Sequence, residues 1–128
     1  MLFRSPMADL SSGVEMLLGM NNDPQFGPML VVGLGGIFVE IFKDAVTIMP
    51  PLSREKAAEQ LQKLKGYPLL TGARGKQPVD LEKLIDTLMA FDAFVADYGP
   101  QLAEIDINPL LVTADGCTVL DALFVPKW

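Results

Sequence analysis

Six consecutive residues and one distant acid hold the side chains best suited to chemistry: Glu104-Ile105-Asp106-Ile107-Asn108-Pro109, then Asp121, thirteen residues after Asn108. In an extended strand side chains alternate, so Ile105 and Ile107 share a buried face while Asp106 and Asn108 share the opposite one. Whether Asp121 joins them depends on the turn around Asp115-Gly116, a dipeptide suited to a tight hairpin. A two-residue loop Asp115-Gly116 pairs Leu110 with Asp121 and leaves Asn108 as a same-face diagonal neighbour. A four-residue loop, Thr113 to Gly116, pairs Asn108 with Asp121 directly. Any even loop puts Asp106, Asn108 and Asp121 on one face; an odd loop turns Asp121 away. Carboxylate and amide oxygens on adjacent strands suit a hard cation such as Mg²⁺, commonly held by one or two protein oxygens with substrate phosphates and waters completing its shell. The same spacing also describes the polar, solvent-facing side of an edge hairpin, with Pro109 marking the edge.

The elements that must position these residues are legible from periodicity and punctuation. Gly13 to Gly19, Met29 to Leu34, Ile37 to Phe42 and Ala45 to Met49 read as strands. Asn21-Asn22-Asp23-Pro24 is a polar turn, and Gly35-Gly36 permits a two-residue hairpin turn. Pro50-Pro51 stops the sheet. Ser53 suits the N-cap of a helix with Ala57, Leu61 and Leu64 on one face, ended by Gly66 and Pro68. The loop from Leu70 to Pro78 is an exposed basic segment, in which Arg74 and Lys76 either contact a phosphate or CoA or are simply solvated. Asp80 caps a second helix with Leu81, Leu84, Ile85, Leu88 and Val95 on one face, closed by Gly99-Pro100. Ile105 to Val112 and Cys117 to Leu123 form the last strand pair. The class is α+β, with a mostly antiparallel sheet packed against two helices. Residues 1–12 read as an N-terminal arm and 13–125 as the folded unit.

Composition narrows the chemistry. The chain has 128 residues, one domain's worth, and a net charge of −6. That charge disfavours nucleic-acid phosphates or an anionic membrane as partner. Half the residues are hydrophobic before any of the 11 Gly are counted, above the usual share, so an apolar face needs cover, and a homo-oligomer is the simplest cover. The chain has one Cys, Cys117, and no His. There is then no intramolecular disulfide, no thiolate or imidazole zinc site and no Ser-His or Cys-His nucleophile. A reducing, cytoplasmic setting is expected. The longest apolar stretch, Met29 to Ile41, is too short for a membrane span and carries Glu40.

Several motifs in order point to one family. Gly13-Val14-Glu15-Met16-Leu17-Leu18-Gly19, Asp23-Pro24-Gln25-Phe26-Gly27-Pro28, Gly33-Leu34-Gly35-Gly36-Ile37-Phe38-Val39-Glu40, Pro51-Leu52-Ser53 and Lys65-Gly66-Tyr67-Pro68 precede Asp106-Ile107-Asn108-Pro109 and Val119-Leu120-Asp121-Ala122. From about Gly13 to Leu123 the chain resembles the C-terminal part of the ATP-grasp domain of NDP-forming acyl-CoA synthetases, which implies that residues 13–125 are the C-terminal ATP-grasp subdomain and that 1–12 are either an arm or a remnant of the strand linking the two halves. The resemblance implies that Asn108 and Asp121 bind the Mg²⁺ of an ATP or ADP complex and that Asp106 lies beside the transferring phosphoryl group. It implies that Glu15 contacts the nucleotide; read alone, Glu15 is equally a solvated strand residue. Gly33, Gly35 and Gly36 either place backbone N–H groups near a phosphate or only permit a turn.

The family reaction makes acid, CoA and ATP from acyl-CoA, ADP and phosphate through a phosphorylated His. With no His here, the phosphohistidine and CoA sites belong to other segments or subunits. The expected partners are therefore the complementary N-terminal ATP-grasp half and a CoA-binding subunit, with the isolated chain inactive. The second reading is a stand-alone folded dimeric binding module, or a gene remnant, without enzymatic activity.

Overall fold

The computed structural model describes residues 13–34, 44–72 and 78–126. The expected strand Ile37 to Phe42, the Gly35-Gly36 turn, Arg74 and Lys76, and the arm 1–12 lie outside the described residues. Three strands open the fold, β1 (Val14–Asp23), β2 (Gly27–Leu34) and β3 (Ala45–Ile48). The helices α1 (Arg54–Gln62), α2 (Tyr67–Leu70) and α3 (Leu81–Tyr98) follow, then a 3₁₀ turn at Gly99–Gln101. The strands β4 (Leu102–Thr113), β5 (Gly116–Val119) and β6 (Ala122–Pro126) close it. All described strands join one antiparallel sheet in the order β3-β2-β1-β4-β5, with β6 continuing the β5 side of β4. The α+β expectation holds.

Alternation sets the sheet's faces. Met16, Leu18 and Met20 of β1 oppose Leu34, Val32 and Leu30 of β2, and all six are buried. The helices supply Ala57, Leu61, Leu84, Leu88, Phe91 and Val95 to the same core. A one-residue slip would turn the β1 set toward the other face, at about 1.5–3 kcal/mol per large side chain, so this register is strongly specified.

Local signals start both longer helices as expected. The Ser53 hydroxyl accepts from the Lys56 N–H (3.1 Å) and the Asp80 carboxylate from the Lys83 N–H (3.1 Å). The Asp80 N–H also donates to the Thr113 carbonyl (2.9 Å), which ties the start of α3 to the end of β4. Pro68 does not end a helix. It stands in the first turn of α2, where a missing N–H costs nothing, and it brings Leu70, expected in an exposed loop, into the core.

Two side chains hold the sheet to its connections. Asn22 donates to the carbonyls of Gly99 (3.1 Å) and Leu102, fixing the end of β1 against the chain entering β4. Asp44, the buried charged residue of the described chain, accepts from the N–H groups of Lys65 (2.6 Å) and Gly66 (2.7 Å). Its own carbonyl takes the Leu34 N–H (3.0 Å), so one residue joins β2, the entry to β3 and the turn after α1.

Candidate functional site

The site is built on β4, which pairs with β1 on one side and with β5 and β6 on the other. Pro109 therefore does not mark an edge, contrary to the expectation from its ring. It is tolerated inside the sheet because Asn108 and Pro109 together face the single residue Leu17, a bulge that removes the ladder bond Pro could not make. The bulge shifts the alternation. Ile105 and Ile107 reach the core before it, Leu110 and Val112 after it, and Asp106 and Asn108 remain on the face away from the helices.

The hairpin loop is two residues long, Ala114 and Asp115, with Thr113 opposite Gly116. Gly116 takes φ +139°, a conformation side chains disfavour, so it begins β5 and is not the second turn residue. The resulting register continues unbroken past the bulge. The Asn108 N–H donates to the Asp121 carbonyl (3.1 Å), and the Leu120 N–H to the Pro109 carbonyl (3.1 Å). Asn108 and Asp121 are thus directly opposed, the outcome expected from the longer loop and reached with a shorter one. The expected strand Cys117 to Leu123 is split at Leu120-Asp121, where it meets Asn108-Pro109.

Asp106 lies one alternation further along, between Gly19 of β1 and Leu123 of β6. Its Oδ1 is buried and has no hydrogen-bond partner among the described residues. A buried carboxylate oxygen without a donor is costly and rare in a folded chain, so it marks a place where a ligand group would find an acceptor. Asn108 and Asp121 are exposed, and one Asp121 oxygen accepts from the adjacent Ala122 N–H (2.9 Å). Among the described residues no group of three or more Asp, Glu, Cys or His side chains converges; the set here is two carboxylates and an amide.

Glu15 is exposed on the same face but opposite Leu111. It stands four positions from the Gly19 that faces Asp106, roughly 13 Å along the strand. The fold therefore gathers Asp106, Asn108 and Asp121 and leaves Glu15 at a distance suited to another part of a ligand. Gly33 is not free to cradle a phosphate. It is held between Leu17 and Ala45, and a Cβ there would lie 2.7 Å from the Ala45 Cβ, so close strand packing explains it. Gly35 and Gly36 lie outside the described residues.

Sequence reasoning missed the close packing at Gly19, opposite Asp106, where a Cβ would stand 3.2 Å from the Ile105 carbonyl oxygen; a Gly inside a strand run was the available signal. It also missed Asp44, for which periodicity offers none.

Residues 5–125 match the ATP-grasp domain family, nearly the whole chain. The chain belongs to that family. This ATP-grasp chain is 42% identical over 116 residues to the beta subunit of acetate–CoA ligase [ADP-forming] I of Pyrococcus furiosus, covering 91% of this chain and 50% of that one. It is 38% identical over 112 residues to acetate–CoA ligase [ADP-forming] I of Archaeoglobus fulgidus, covering 88% of this chain and 16% of that protein. Among solved structures it is similar to acetyl-coenzyme A synthetase 1 of Ca. Korarchaeum cryptofilum in complex with coenzyme A and Mg-AMPPCP. That match has a TM-score of 0.83 and 40% identity, over 90% of this chain and 54% of that one. The chain thus spans about half of the shorter relatives it matches and a sixth of the longest, a partial ATP-grasp domain, and those relatives are ADP-forming acyl-CoA synthetases.

Proposed function

We propose that this chain forms one wall of the nucleotide cleft of an NDP-forming acyl-CoA synthetase, which converts acyl-CoA, ADP and phosphate to acid, CoA and ATP. The observation that supports this best is the direct opposition of Asn108 and Asp121 beside the Asp106 Oδ1, which has no partner among the described residues. These oxygens fit a nucleotide-bound Mg²⁺: Asn108 and Asp121 would hold it, and Asp106 would lie next to the transferring phosphoryl group. When bound, Mg²⁺ neutralises negative charge on the nucleotide phosphates. Glu15, further along the same face, would contact the nucleotide away from its phosphates, and the backbone at Gly35 and Gly36 would approach a phosphate.

In this reading residues 13–125 are the C-terminal ATP-grasp subdomain and 1–12 the arm that leads into it. The chain works with the complementary N-terminal half and a CoA-binding subunit that supplies the phosphorylated His. Phosphoryl transfer rests on positioning and charge neutralisation from both walls, so the isolated chain is inactive. Alone, it covers part of its apolar surface with a second copy. A cytoplasmic setting fits the single, free Cys117, and no described helix is long and apolar enough to cross a membrane.

The test is an amide NMR titration with Mg-ADP, with Asp121→Ala as control. Saturable shifts centred on Asn108 and Asp121 that vanish in the variant are expected. No shift at millimolar nucleotide would overturn the reading and leave a folded module without the site.

A further inference from the structure

The strand that closes the sheet carries an interior strand's sequence at an edge that no described strand covers. From Val119 to Val125 six of seven residues are apolar, and Asp121 is the one charge between Gly116 and Pro126. Val119 (51%), Leu120 (39%), Leu123 (58%) and Phe124 (46%) are all exposed. Val119 and Phe124 oppose the core residues Leu110 and Ile105, while Leu123 opposes Asp106. Apolar side chains therefore stand on both faces of the same strand, the pattern of a strand with neighbours on both sides. Tyr98, half-exposed, extends the strip through Phe94, whose ring lies 4.9 Å from Tyr98 and 5.8 Å from Phe124. Among the described residues no strand pairs with the far side of β5 or β6. Lys side chains and inward-pointing charges, which native edges use to block pairing, are absent from this described stretch.

We propose that the β5–β6 edge is a self-association surface on which a second copy of this chain pairs antiparallel, edge to edge, extending the sheet across a two-fold axis. The proposal stands apart from the nucleotide reading, because it needs neither Mg²⁺ nor ADP. Three observations select a second copy. An antiparallel edge is self-complementary under a two-fold, so the same patch serves both partners. A pairing centred on Ala122 covers Val119 to Val125 and sets each Asp121 opposite the Leu123 position of the copy, so the two carboxylates are not directly opposed. Taking side chains at roughly 200 Å² each, the exposed parts of Tyr98, Val119, Leu120, Leu123 and Phe124 leave on the order of 500 Å² per chain. Two copies then cover about 1,000 Å², the lower end for a specific interface, which fits a weak, concentration-dependent dimer.

The test is sedimentation velocity on the full chain without nucleotide, over roughly 1–100 µM. The wild type should shift from monomer to dimer, and Leu123→Lys and Phe124→Lys should each raise the dissociation constant at least tenfold. Phe26→Lys, which removes an equally exposed ring at the β1–β2 turn, should leave it unchanged. Should either edge variant fail to fold, amide exchange on the wild type decides: protection of residues 122–125 should rise with protein concentration. A wild type that stays monomeric throughout, a dimer that both edge variants leave intact, or a dimer that Phe26→Lys weakens as much would each overturn the proposal. So would concentration-independent exchange at 122–125.

Discussion

Replacing Asp106 by Val should make the isolated protein more stable while removing its response to nucleotide. Among the described residues the Asp106 Oδ1 is buried without a donor, and leaving a buried acceptor unsatisfied costs about 1–3 kcal/mol. Because the residue as a whole is only half-buried, the lower end applies. Val suits a strand position, and it has no acceptor to leave unsatisfied. Losing one negative charge from a chain of net charge −6 acts in the same direction. A gain of about 1 kcal/mol follows, worth roughly 3–5 °C for a domain this size. The assay is thermal and urea unfolding of both proteins in chelator without nucleotide. A second arm adds Mg-ADP: at a hundred times its Kd the wild type should gain about 2.7 kcal/mol, and the variant little of it. A variant that unfolds more easily than wild type without nucleotide would refute the reasoning, because the carboxylate would then be paying its way structurally.

Two further perturbations test the frame behind the site. Asp44→Ala strands two backbone N–H groups that the carboxylate now holds at 2.6 and 2.7 Å, so it should cost about 3 kcal/mol in urea unfolding; a loss under about 1 kcal/mol would show that the turn after α1 finds other acceptors. Burial pushes the Cys117 thiol up from its ordinary range, with Thr87, Asp80 and Lys83 as smaller influences. A raised folded pKa means this contribution is fully present below the unfolded thiol value and lost as pH rises through the folded one. Urea stability should therefore fall across the alkaline thiol range, and Cys117→Ala should flatten that fall; equal slopes for both proteins would count against it.

Much of this was legible locally. Alternation at Ile105, Asp106, Ile107 and Asn108 is a property of any extended chain, and the caps at Ser53 and Asp80 need only the next three residues. The ordered motifs pointed to the ATP-grasp family before any fold was in view. Pro68 was misplaced because helix ends and helix starts use the same residue, and only the packing of Leu70 distinguishes them. Gly33 was ambiguous until Ala45 stood beside it.

The sequence by itself determined the longer elements, their apolar faces and the chemistry of the side chains, because each is set within a few residues by backbone sterics and periodicity; it missed that Asn21 to Asp23 extend β1 and that Tyr67 to Leu70 form a helix. Tertiary structure alone decided that β4 is central, that Asn108-Pro109 bulges against Leu17, and that Asn108 faces Asp121 across a loop of Ala114 and Asp115. It also decided that the Asp106 Oδ1 finds no donor among the described residues and that an interior-like strand has no described neighbour on its outer side. These depend on which strands become neighbours and in what register, a choice made by burial summed over the whole core and not by any short stretch of chain.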